Sequence, residues 1–125
     1  MRACSLLTRD LVEPFVANKT MLDIMPPEEE AMRGGGAACE YGVVRLQVFP
    51  GPGAARTAPG KEWQPASGAG EAAFFRSNGN QYAEMMFWTR THYLTLQVSV
   101  PSGSTAEAIK PKVLSLANQV IAKLR

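Results

Sequence analysis

The chain has 125 residues, 46% of them apolar, and a formal charge of +2. That length suits one hydrophobic core rather than two, so one domain over residues 1–125 is expected. A near-neutral chain with no basic stripe interleaved with aromatics argues against nucleic acid. No apolar run approaches the ~20 residues of a membrane span, and Met1-Arg2-Ala3 has no apolar stretch behind it that would serve as a signal sequence.

In chain order, Cys4-Ser5-Leu6-Leu7-Thr8 leads into a short helix. Thr8 is placed to cap it, Asp10 lies in its first turn, Leu7 can staple onto Val12, and Pro14 should end or kink it early. Met21 to Met25 reads as a short strand or an irregular apolar segment closed by Pro26-Pro27. Glu28 to Arg33 reads as one or two helical turns with acidic residues at the start, before the flexible Gly34-Gly35-Gly36 joint.

Ala38-Cys39-Glu40-Tyr41 opens the sheet, Gly42 marks a bulge or bend, and Val43 to Phe49 alternates as a strand. Pro50 to Gly70 is a flexible loop dense in Gly, Pro, Ala and Ser, which only Trp63 looks able to anchor. Glu71 to Arg76 is a further strand, followed by an Asn78-Gly79 turn.

Gln81 to Val100 organises the rest. Two alternating runs flank Thr89-Arg90-Thr91-His92, as in a tight hairpin. With Thr89 opposite His92, the pairs are Trp88 with Tyr93, Phe87 with Leu94, Met85 with Leu96 and Ala83 with Val98. Ala83, Met85, Phe87, Leu94, Leu96, Val98 and Val100 then share the core side, and a one-residue slip would bury Glu84 and Gln97. Beyond Pro101-Ser102-Gly103, Ser104 with Glu107 forms a capping box. Ile109, Val113, Leu116, Ala117, Val120, Ile121 and Leu124 recur at helical spacing, with Pro111 kinking the helix or starting a second one. The expected architecture is an α+β two-layer sandwich: an antiparallel sheet of about four or five strands, covered on one face by the long C-terminal helix, with a short N-terminal helix.

For function, the outer face of the hairpin stands out. Tyr82, Met86, Trp88 and Tyr93 form an aromatic and thioether patch edged by Glu84, Arg90, Thr95 and Gln97; Tyr, Trp, Met and Arg are residue types enriched at interfaces. The alternative is that this face is covered by the 50–70 loop through Trp63, or by the N-terminal segment. The leading expectation is a non-catalytic module that binds another protein, or a second copy of itself, through this face, with Trp88 exposed. The runner-up is a small-ligand carrier with a pocket under the 50–70 loop, lined by Trp63, Phe74 and Trp88. An enzyme is disfavoured, with no catalytic residues assigned. His92, the sole histidine, sits at a turn, and the adjacent carboxylates Glu28, Glu29 and Glu30 do not oppose one another across a cleft. No cofactor is expected and no metal site either, since Met21, Met25 and Met32 read as core filling.

Cys4 and Cys39 are the two cysteines. They could form one bridge in an exported protein or remain separate thiols in a cytosolic one; in a third reading, Cys4 is the acylated residue of a lipoprotein.

Four landmarks carry a resemblance to a group of small bacterial envelope proteins of unknown function, often actinobacterial lipoproteins. They are Cys4-Ser5-Leu6-Leu7-Thr8, then Ala38-Cys39-Glu40-Tyr41, then Gly68-Ala69-Gly70-Glu71-Ala72-Ala73 (similar to Gly-x-Gly-Asp-x-Ala, with Glu71 for Asp), and the striped terminal helix. The resemblance implies that Cys4 and Cys39 pair and that the protein is periplasmic or extracellular. It brings no catalytic residues.

Overall fold

The computed structural model describes residues 2–51 and 60–124. Its centre is one antiparallel sheet, and a C-terminal helix packs on it, an α+β arrangement. The strands are β1 (Glu28–Ala31), β2 (Ala37–Tyr41), β3 (Val44–Pro50), β4 (Gln64–Pro65), β5 (Ala72–Asn78), β6 (Tyr82–Trp88) and β7 (His92–Ser99). They lie in the order β1-β2-β3-β7-β6-β5-β4. The sheet therefore has seven strands and not four or five. The two additions are its edges, which are short or acidic, as edges exposed to pairing tend to be.

The β6–β7 hairpin has the expected register, with Trp88 opposite Tyr93, Phe87 opposite Leu94, Met85 opposite Leu96 and Ala83 opposite Val98. Thr89 N–H donates to the His92 carbonyl and closes the turn. Ala83, Met85, Phe87, Leu94, Leu96 and Val98 are all buried on the core side, joined there by Val44, Leu46 and Val48 of β3. Alternation with period two puts every second side chain on that face, and the cost of burying Glu84 or Gln97 locks the pairing.

Two separate pieces close the core face. Helix α3 (Ala106–Leu124) follows helices α1 (Arg9–Val12) and α2 (Met21–Ile24), each one turn long, and lies over β5, β6 and β7. Its buried stripe is Ala106, Ile109, Val113, Leu116, Ala117, Val120 and Ile121. Over β1, β2 and β3 the cover is instead the N-terminal turn Ala3–Ser5. The Cys4 and Cys39 sulfurs sit at bonding distance across this contact, with Cα atoms 4.9 Å apart. Glu29 fastens the same turn by accepting the backbone N–H of Ala3 at 2.9 Å and of Cys4 at 2.8 Å.

Several local expectations are corrected. Glu28 to Ala31 is strand and not helix: pairing with β2 satisfies the backbone groups on that side and brings Glu29, opposite Cys39, to the N-terminal turn. Met21–Ile24 is a helical turn, and Met25, just past it, is 47% exposed rather than core filling. Gly42 makes a full two-residue turn, since Tyr41 pairs with Val44 and Gly42 takes φ +60°. A Cβ there would also meet Leu22 Cδ2 at 2.9 Å.

The Thr8 hydroxyl donates to Asp10 Oδ1 and accepts no N–H of the helix start, and this bond holds the Asp10 carboxyl below its ordinary value. Pro14 ends α1 early, as expected, in a 3-10 turn. Thr105, not Ser104, caps α3, through the Ala108 N–H. The helix runs through Pro111 unbroken: the missing N–H falls on the solvent side, and the buried stripe outweighs its loss.

Candidate functional site

On the outer face, alternation places Arg45, Gln47 and Phe49 of β3 beside Tyr93, Thr95 and Gln97 of β7. Glu84, Met86 and Trp88 of β6 and Phe74 and Arg76 of β5 follow. Four rings cross one end of this face. Phe49 stacks on Tyr93 with centroids 5.6 Å apart, Tyr93 on Trp88 at 5.1 Å, and Phe74 meets Trp88 edge-on at 6.0 Å. Cross-strand aromatic neighbours of this kind stabilise a sheet even without a second layer over them.

This overturns the expected exposure of Trp88. Its ring lies between Phe74 and Tyr93 and is 3% exposed, and Met86 is 8% exposed. The version of the binding surface built on an exposed Trp88 is therefore wrong. Tyr93 is half-buried, and loss of water raises its phenol above the ordinary 10.0.

The middle of the face is polar and internally paired. Arg76 Nε donates to Glu84 Oε1 at 2.6 Å, its Nη1 reaches Glu62 at 3.3 Å, and its guanidinium lies 4.6 Å from the centre of the Trp63 ring. Gln97 Nε2 donates to Glu84 Oε2 at 3.0 Å, and the Thr95 hydroxyl to Gln47 Oε1 at 2.8 Å. Arg45 is held by Glu30 at 3.1 Å and Glu40 at 3.7 Å. Trp63 thus ties its segment to Arg76, and not alone: Asn118 Nδ2 also donates to the Gly68 carbonyl at 2.7 Å. The anchor works because β4 pairs with Phe74 and Phe75, bringing Trp63 and Glu62 alongside Arg76. Residues 52–59 of the expected flexible loop lie outside the described residues.

Between Trp63 and β3–β7–β6 is a cleft of about 240 Å³. Trp63, Arg45, Gln47, Glu84, Met86, Tyr93, Thr95 and Gln97 line it, and all are half-buried except the buried Met86. Of the expected surface residues, the structure brings together Trp63, Glu84, Met86, Tyr93, Thr95 and Gln97. Trp88 supports Tyr93 from the side without lining the cleft, and Phe74 does not line it either. Tyr82 lies at the far end of β6, by a polar hollow beside Ser99 and Pro101. Arg90 is at the hairpin tip, in a different gap of about 780 Å³ between Gly68–Glu71, the tip and the end of α3. That larger gap is walled mostly by exposed side chains, Glu71, Arg90, Thr91 and Asn118 among them, so it imposes less shape on an occupant.

Arg45, Gln47 and Arg76 were missed as site residues. The alternation of β3 showed that Arg45 and Gln47 share a face, but nothing local showed that β3 pairs with β7. His92 contacts the neighbouring Thr91 hydroxyl through Nδ1 at 2.8 Å. Among the described residues, no three His, Cys, Asp or Glu side chains gather as metal ligands, and no helix is long and apolar enough to cross a membrane. No protein-family model, no curated protein and no solved structure matches this chain.

Proposed function

We propose that the protein is a non-catalytic binding module of an exported, envelope-type class, which takes its ligand on the outer sheet face beneath Trp63. One observation carries the site: the cleft is floored by half-buried polar side chains held by cross-strand hydrogen bonds, between the Trp63 and Tyr93 rings. Preformed shape with a few convergent polar groups is what a binding site needs. Every charged group at the cleft is engaged by an opposite charge, which fits holding a ligand better than moving protons. The Cys4–Cys39 pair favours an oxidising compartment, in keeping with the envelope resemblance.

The site reading is tested by two-dimensional NMR of labelled protein against a fragment library and against rising concentrations of the protein itself. Shifts should concentrate at Gln47, Thr95, Gln97 and the Trp63 indole N–H. Shifts confined to the gap beside Arg90, or to the exposed side of α3, would refute it.

A further inference from the structure

The chemistry of the cleft narrows its occupant, given the binding site proposed above. Arg45 and Arg76 are each answered by two carboxylates, Glu30 with Glu40 and Glu84 with Glu62. The four carboxylates outnumber the two guanidinium groups, so an anion is repelled, and a cation gains only by drawing a carboxylate away from its arginine. Between the two ion-pair clusters runs an uncharged strip, Gln47, Thr95 and Gln97, on the neighbouring strands β3 and β7.

The strip's internal bonds use one side of each amide. Thr95 occupies Gln47 Oε1, and Glu84 occupies Gln97 Nε2. Among the described residues, Gln47 Nε2 and Gln97 Oε1 have no partner, so one amide offers two N–H donors and the other an acceptor. The complementary ligand is neutral, both donates and accepts hydrogen bonds along one edge, and has a C–H surface to lay against Trp63. The volume of about 240 Å³ lies below the roughly 300–1,000 Å³ of drug-sized pockets, which limits the occupant to about one ring.

We infer that the outer-face cleft binds a single neutral sugar ring, its hydroxyls bonded to Gln47 and Gln97 and its C–H face against Trp63.

The test is an NMR titration with the methyl glycosides of glucose, galactose and N-acetylglucosamine, each to about 50 mM, a range that captures millimolar binding. Sodium acetate and methylammonium chloride serve as charged probes. At least one glycoside should saturably shift the Gln47 and Gln97 side-chain amides and the Trp63 indole N–H. Gln47→Ala should weaken it tenfold or more. Gln47→Glu, which keeps the shape and removes both donors, should do the same with folding preserved, and Gln119→Ala on the exposed helix face should leave it unchanged.

Saturable shifts from a charged probe with none from the glycosides overturn the sugar assignment and keep the cleft as a binding site. So do shifts that appear only with rising protein concentration. Glycoside shifts that never saturate, or that persist in Gln47→Glu, also overturn the assignment. If no probe and no fragment moves a cleft signal, the sugar assignment and the binding-module reading fall together.

Discussion

The two faces of the sheet share the same alternating strands yet are closed in different ways. The core face is sealed by separate layers, α3 over β5–β7 and the N-terminal turn over β1–β3. Among the described residues no helix covers the outer face, and still Trp88 and Met86 are as hidden as many core residues. Neighbouring side chains on that face hide one another: rings stack across strands at one end, and arginine–glutamate pairs and amides lock the middle. Burial there comes from lateral packing, which leaves a cleft where the lateral packing stops, under Trp63.

The largest test of this contrast uses two adjacent residues. Phe87→Ala opens a hole sealed beneath α3 and should cost about 3–5 kcal/mol. Trp88→Ala removes a larger ring, but water can follow it, so no sealed cavity is left and the cost should fall below that of Phe87→Ala. Urea denaturation of both variants measures the difference, and equal losses would mean that the outer face is sealed like a core.

Next is the clasp. Cys4 and Cys39 are 35 residues apart, so replacing both with alanine should cost about 3–4 kcal/mol by loop-closure entropy. Hydrogen exchange should rise first in β1 and β2, beneath the N-terminal turn, with the β6–β7 ladder still protected. Uniform loss of protection would show that the core face has one cover and not two.

The smallest effect belongs to Tyr93. Burial raises its phenol above 10.0, so the stability gained by keeping it neutral is full below about pH 10. As pH rises through the raised value, the unfolded chain has already released the proton that the native state holds, and that stability is lost. Tyr93→Phe should flatten the alkaline fall in urea midpoints; an unchanged fall would mean that the ring is wetter than it stands here.

Much of this was legible locally. Alternation from Gln81 to Val100 determined the hairpin register, because a slip would have buried Glu84 and Gln97. The 3.6-residue stripe from Ile109 to Leu124 determined the covering helix, and Pro14 the early end of α1. Glu28–Ala31 was illegible, because its strand exists only where β2 accepts it, and three consecutive glutamates look locally like a helix start. The cleft was partly legible: Trp63, Glu84, Met86, Tyr93, Thr95 and Gln97 were identified, and Arg45, Gln47 and Arg76 were not.

What the sequence determined by itself is which side chains share a face, since that follows from the period of the backbone. Which strands are neighbours was decided only in three dimensions. The order that sets β3 against β7 joins residues dozens of positions apart, Val44 with Val98 and Pro50 with His92, and their pairing energy appears only once the chain has closed on itself. The same closure decided that Trp88 would lie among other rings and not face water, leaving the opening between Trp63 and the two glutamines.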